Sequence, residues 1–277
     1  MPTISEVLRD TSSKLKKAKI ETARLDSLLI IEWVTKKDRA WLLANQESEI
    51  SPKEARELNK LLIKRLTHLP IAYIFEQTEF YGREFIVSND VLVPRPETEV
   101  MIKALNYLLL SKDFESRKIH KPFIADVGTG SGAIGITAKL EHPEVVVDLI
   151  DIDLKALKIA KFNVDKYTLT LHVICSDLLD NTGNVYDILL CNLPYVPDGH
   201  SINKAASHEP KLAIFGGKDG LKAYRKLFKQ LRSKQSKPLY LLIESLPSQH
   251  SALTDMATPL GYSKTIIDDF IILFTLV

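Results

Sequence analysis

Residues 123–132 read Phe-Ile-Ala-Asp126-Val-Gly128-Thr129-Gly130-Ser131-Gly132, and the helix-like spacing of 133–140 follows at once. A glycine-rich turn thus stands directly between a buried strand and a helix. Glycines there permit positive φ and a close backbone approach, and the free N–H groups of the helix start favour an anionic or carboxylate-bearing ligand. Short apolar runs then alternate with helical spacing. Strands are expected at 145–150, 171–175, 188–191 and 239–243, helices at 154–164, 221–231 and 248–257, and last strands near 262–267 and 271–276. This rhythm predicts an α/β fold built on a doubly wound parallel sheet, in which ligands gather at the carboxyl ends of the strands.

The 277 residues suffice for a large core and suggest one or two domains. With 45% hydrophobic and 26% charged residues, a mainly disordered chain is excluded. No uninterrupted apolar run approaches the roughly 20 residues of a membrane span, so no membrane association is expected. Met1-Pro-Thr-Ile-Ser-Glu6 lacks a basic segment followed by an apolar core, and a cytoplasmic protein is expected. Cys175 and Cys191 lie in apolar runs and are expected to pack as small buried side chains. A net charge of +2 is too mild to mark a nucleic-acid binder. The run Lys14, Lys16, Lys17 and Lys19 is expected to be a solvated helix face.

Residues 1–72 show helical spacing, as in Leu25, Leu28, Leu29 and Trp33 and again in Leu58, Leu61, Leu62 and Leu66. They are read as a small helical domain, with Trp33 and Trp41 expected in its core. Ser51-Pro52-Lys53-Glu54 is a helix start, with a cap, a proline at the first position and an acid three residues later. Residues 73–96 change to aromatic and β-branched alternation around Tyr81-Gly82, a hairpin linker. Pro94-Arg95-Pro96 forces an extended backbone, and a helix begins at Glu97 or Thr98 and runs to Leu110. Residues 97–277 form the third part, with 111–122 as a polar linker.

The glycine turn alone fits a nicotinamide cofactor or a plain tight turn equally well. Acids at the strand ends separate these readings. Asp126 stands where it would hold an ammonium group and repel a pyrophosphate. Asp151 ends the next strand, where a carboxylate takes ribose hydroxyls, with Asp148 and Asp153 as rivals. Asp177 follows the third strand and is suited to an adenine amino group, with Leu178 packing against the ring. A neutral-to-cationic ligand such as S-adenosylmethionine, with an ammonium, a ribose and an adenine, suits these acids.

Asp187-Ile-Leu-Leu-Cys-Asn192-Leu193-Pro194-Tyr195 ends the fourth strand abruptly. A planar amide or amino NH2 is a poor nucleophile because its lone pair is delocalised, so an enzyme must hold both hydrogens and aim the nitrogen. The Asn192 side-chain oxygen and the Leu193 carbonyl are candidate acceptors, Pro194 fixes direction, and Tyr195 can stack on the planar group. A turn after a strand would carry the same letters.

The chain resembles the HemK/PrmC family of protein-glutamine methyltransferases over nearly its whole length. The motifs are Pro70-Ile-Ala-Tyr73 with Glu79-Phe-Tyr-Gly82, Pro94-Arg95-Pro96-Glu97-Thr98-Glu99, Asp126 to Gly132, Asn192 to Tyr195, and His208-Glu-Pro with Gly216-Gly-Lys-Asp-Gly220. The resemblance implies a Rossmann-like methyltransferase domain preceded by a small helical domain and a β-hairpin. It implies methylation of the glutamine of the Gly-Gly-Gln motif in class I peptide release factors. Gly128, Thr129, Gly130, Ser131, Gly132, Asp151, Leu178 and Asn192 would hold S-adenosyl-L-methionine, and Asn192, Leu193, Pro194 and Tyr195 would bind the glutamine. Arg95, Glu97 and Glu244 are further candidates. The family usually carries proline where this chain has Leu193, and its usual glycine and arginine near Asp268 are absent. Three other readings stand beside it: glutamine methylation of a ribosomal protein, adenine-N6 methylation of ribosomal RNA, and a non-catalytic S-adenosylmethionine-binding module. A monomer without direct nucleic-acid contact or metal is expected.

Overall fold

Apolar residues spaced by three and four build five helices at the start of the chain: α1 (Ile4–Lys17), α2 (Ala23–Thr35), α3 (Arg39–Ala44), α4 (Pro52–Leu66) and α5 (Ile71–Phe75). The computed structural model describes all residues 1–277. These helices and the segment Asn203–His208 form one compact unit. Thr3 and Ser51 each close a capping box, with Glu6 and Glu54 reaching back to the cap backbone. The interior holds Ile30, Ile31, Leu42 and Ile50, all nearly or wholly buried. One ion pair is buried with them: Arg65 Nε lies 2.7 Å from Asp26 Oδ2, which also accepts the Thr22 hydroxyl. Trp33 is only half-buried and stacks on Phe75, while Trp41 is exposed, so it is not a core residue. It sits in the first turn of a six-residue helix, too short to bury all its apolar side chains.

The second unit comprises Glu76–Ile202 and Glu209–Val277. It begins with the antiparallel hairpin β1 (Gln77–Phe80) and β2 (Arg83–Ile86), whose turn residues Tyr81 and Gly82 both have positive φ. After one turn of 3-10 helix at Pro96–Thr98 come α6 (Glu99–Leu109) and α7 (Lys112–Ser116). The polar stretch expected as a linker therefore contains a helix, because Ser111 caps the Phe114 N–H and Phe114 is buried. Then β3 (Phe123–Val127), α8 (Ala133–Glu141), β4 (Val146–Asp151), α9 (Leu154–Lys166), β5 (His172–Cys175) and β6 (Ile188–Cys191) alternate. The chain ends with α10 (Lys211–Ile214), α11 (Lys222–Ser233), β7 (Tyr240–Glu244), α12 (His250–Ala257), β8 (Tyr262–Ile266) and β9 (Ile271–Leu276).

The main sheet has the order β5-β4-β3-β6-β7-β9-β8. Its first five strands are parallel, and β9 enters antiparallel between β7 and β8. The short link between β8 and β9 allows nothing else, since a parallel return needs a crossover of a dozen residues or more. Asp268 tightens that link by accepting the N–H groups of Phe270 and Ile271. Side chains alternate across the sheet: Ile124, Leu149 and Leu190 share one core with α6, α8 and α9, while Ala125, Ile150 and Cys191 share the other with α11 and α12. Cys191 is buried as expected; Cys175 is exposed, because it closes an edge strand. No helix is long and apolar enough to cross a membrane.

Candidate active site

Parallel register brings the strand ends level. Val127 pairs with both Ile150 and Cys191, Asp151 with Cys175, and Cys191 with Ile243. Gly128, Ser176, Asn192 and Glu244 therefore leave the sheet along one edge, beside Asp151. Strand order reverses between β3 and β6, and such a switch point opens a crevice between diverging loops. A cavity of about 440 Å³ lies there. The glycine turn lends it Gly128, Thr129, Gly130 and Ser131, and the neighbouring strand ends lend Asp151, Asp177 and Leu178. Asn192, Leu193, Pro194 and Arg95 line it as well. Asp126, Gly132, Tyr195 and Glu97 lie outside it.

The turn is held from below. Gly128 and Thr129 donate N–H bonds to Ile150 O, and Gly130 N donates to Asp151 Oδ2 at 2.9 Å. Asn163, fully buried, binds Ser131 O and both the N–H and carbonyl of Ile86, tying the hairpin to the turn. Asp126 Oδ2 accepts the Thr129 hydroxyl at 2.6 Å and Gly135 N at 2.8 Å, whereas its Oδ1 is buried with no partner. Burial raises its pKa to about 6, against those two hydrogen bonds. Burial also raises Asp151, whose Oδ1 takes Asp153 N.

The rivals for the ribose position have other work. Asp148 is wholly buried and accepts Tyr186 OH, Asn184 and His172, and Asp153 caps α9. Asp177 pairs with Lys226, a cavity residue with no place in the expected site, and Lys226 also reaches Asp180 at 3.2 Å. Leu178 takes a left-handed backbone, φ 56°, a strained state for a branched side chain that aligns it with the cavity wall.

At the fourth strand end, Asn192 Nδ2 donates to Thr98 Oγ1 at 3.2 Å. Leu193 N donates to the Tyr224 hydroxyl at 3.3 Å, and that hydroxyl donates to Glu244 O at 2.5 Å. No hydrogen bond is directed at the Leu193 carbonyl. Tyr195 OH donates to Glu244 Oε1 at 3.0 Å, and burial together with that carboxylate raises the phenol's pKa. Gln249 Nε2 clamps Tyr195 O at 2.8 Å and Asp219 O at 2.9 Å. The loop through Gly216 and Gly220 lies flat against this segment, where a Cβ would stand 2.3 Å from Pro194 O and 2.0 Å from Tyr195 O respectively. Glu209, nearly buried, accepts Arg95 at 2.5 Å and Val93 N at 3.3 Å, fixing the loop between the prolines. Glu97 is exposed. His208 lies in the other unit, where its Nε2 meets Thr67 O. Thr98, Asn163, Glu209, Tyr224 and Gln249 support the site without an expected role there; the Pro94–Glu99 motif contains Thr98, and the His-Glu-Pro motif contains Glu209.

Two family profiles match the chain: the PrmC N-terminal domain at residues 6–75 and the methyltransferase small domain at residues 106–209. The Bifunctional methyltransferase of Rickettsia felis is 32% identical over 286 residues, covering 94% of this chain and 54% of that protein, so the chain spans about half of that relative's length. The Release factor glutamine methyltransferase of Coxiella burnetii is 33% identical over 270 residues, covering 95% of this chain and 93% of that one. Among solved structures, the hMettl16 catalytic domain in complex with MAT2A 3′UTR hairpin 6 superposes with a TM-score of 0.55 at 13% identity, covering 87% of this chain and 93% of that one. At that identity the likeness is one of fold. Matched end to end by a relative at one-third identity, the chain belongs to the release factor glutamine methyltransferase family.

Proposed function

We propose that this chain transfers the methyl group of S-adenosylmethionine to the side-chain amide nitrogen of the glutamine in the Gly-Gly-Gln motif of class I peptide release factors. The observation that carries the reading is the pair of acceptors at the end of β6. Asn192 lines the cavity with its NH2 engaged by Thr98, which leaves its carbonyl oxygen for the substrate, and the Leu193 carbonyl receives no other hydrogen bond. Two acceptors side by side suit a planar NH2, whose two hydrogens they hold while the nitrogen faces the methyl donor.

The other wall fits S-adenosylmethionine. Asp151 has lone pairs left for ribose hydroxyls, Leu178 offers an apolar face to adenine, and the turn presents backbone close to the ligand. The unpartnered Asp126 Oδ1 marks a buried negative charge without a cation near the turn, which suits an ammonium. When bound, the cofactor supplies a methyl group on a sulfonium, activated without help from an acid. The chain's residues then bind, orient and exclude water. No general base is required, because a methylated amide nitrogen sheds its proton readily. Asp177, which shares Lys226 with Asp180, would take the adenine amino group. The helical unit, 1–72 as read from sequence, would grip the release factor, with the hairpin at 73–96 as the link to the catalytic part. Arg95 and Glu97 would flank the incoming peptide.

Incubation with methyl-labelled S-adenosylmethionine tests this against a class I release factor, its Gln-to-Ala variant, ribosomal proteins and ribosomal RNA. Label is expected in the release factor and absent from the variant. Label confined to RNA or to a ribosomal protein would sink the reading, and binding without label anywhere would favour a non-catalytic module.

A further inference from the structure

The Asn192 amide has two faces of opposite sense, and only one of them serves a substrate NH2. With the carbonyl toward the cavity it accepts; turned over, it presents two donors to two donors. Rotation about the last side-chain bond of asparagine is otherwise soft, so something must choose. We propose that Thr98, with the Glu244 carboxylate beside it, sets the orientation of the Asn192 amide and so makes its carbonyl the substrate acceptor. This rests on the methylating role of Asn192 proposed above.

Strand pairing brings the partners together: Cys191 is opposite Ile243, so Asn192 and Glu244 follow side by side. Thr98 and Glu244 are each only 2% exposed. Asn192 Nδ2 lies 3.2 Å from Thr98 Oγ1. Tyr195 OH lies 3.0 Å from Glu244 Oε1. Hydrogen bonding from Thr98 and Tyr195 opposes the rise that burial gives the Glu244 pKa. A threonine hydroxyl has one proton to give and lone pairs to receive with. Glu244 Oε2 is buried with no partner of its own and is the acceptor open to the one Thr98 proton, while the Thr98 lone pairs receive the Asn192 NH2. The amide oxygen then faces away from Thr98, toward the cavity that both residues line. Thr98 is itself placed by Pro96, which opens its helical turn, and by the Arg95–Glu209 pair just before it. Thr98 and Glu244 are positioning residues that act through Asn192.

The test uses the full chain, methyl-labelled S-adenosylmethionine and a class I release factor, with cofactor affinity measured by calorimetry. T98V removes the hydroxyl at nearly constant shape, and T98S restores it. T98V is expected to lower kcat roughly tenfold or more with cofactor Kd within about twofold, and T98S to recover most of the rate. E244Q keeps Thr98 in place but can donate to it, and the same kcat loss at unchanged cofactor affinity is expected. Its effect should largely vanish in the T98V background. T98V or E244Q at the wild-type kcat, beside an inactive N192A, overturns the proposal and leaves the proposed function intact. Equal losses in T98V and T98S also overturn it, since packing rather than the hydroxyl would then matter. N192A as fast as the wild type overturns the proposed function itself.

Discussion

Single residues in this site trade stability for readiness. Asp126 is held above its ordinary pKa, at about 6, by burial. Folding thus makes its charged form costlier than it is in the unfolded chain. The charge weakens the fold fully above pH 6, and the penalty fades as pH falls through 6 toward the unfolded value near 4. Near neutrality the penalty is roughly 3 kcal/mol. D126N is accordingly expected to raise the urea midpoint of the free protein at pH 7.5 while weakening S-adenosylmethionine at least tenfold. Unchanged cofactor affinity in that variant would mean the acid only braces the turn. In the wild type, cofactor affinity should be flat above pH 6 and decline below it, measured by calorimetry from pH 5 to 8. Leu193 poses a different question, because proline there would lack the N–H that meets Tyr224. Y224F strands that N–H and the Glu244 carbonyl, so a loss of about 1–3 kcal/mol is expected. In an L193P background the loss should shrink, and equal losses in the two backgrounds would show that the contact carries no energy.

At the scale of elements, the segment Asn192–Tyr195 after β6 owes its shape to a neighbouring loop. The loop through Gly216 and Gly220 approaches closer than any side chain permits, and Gly220 also has φ +78°. G220A must push against Tyr195 O and Gln249 together, and its methyl-transfer rate is expected to fall at least tenfold while cofactor affinity changes little. A wild-type rate would show that the loop yields freely. The strands and helices around this site were readable in advance, since period-two and period-3.6 patterns are local and the glycine turn punctuates them. What pairs with what was not. The antiparallel entry of β9 between β7 and β8 follows from a short connection, whereas apolar alternation is the same in either direction. The supporting residues Tyr224, Gln249 and Glu209 act across 31 to 116 positions, and a buried tyrosine or glutamine in a helix has no periodic signature. Spacing puts Asp151 ahead of its rival Asp148, and the full burial of Asp148 removes that rival.

The whole molecule carries opposite charges in near balance, +2 over 277 residues. An enzyme acting on nucleic acid by neutralising 6–10 phosphates loses roughly 10³–10⁵ in affinity between 50 and 200 mM salt. Here the KM for the release factor is expected to move less than about tenfold over that range in steady-state methylation assays. A steeper slope would point to a polyanionic substrate. The helical unit is discontinuous, for Asn203–His208 belongs to it and His208 meets the carbonyl of Thr67. On a translating ribosome, its first 75 residues emerge and begin to fold well before that last piece exists. By then residues 192–195 have already been made. Completion of the helical unit therefore waits on synthesis of much of the second unit, and a nascent chain stalled before residue 203 would hold residues 192–195 while its helical unit still lacks its last segment.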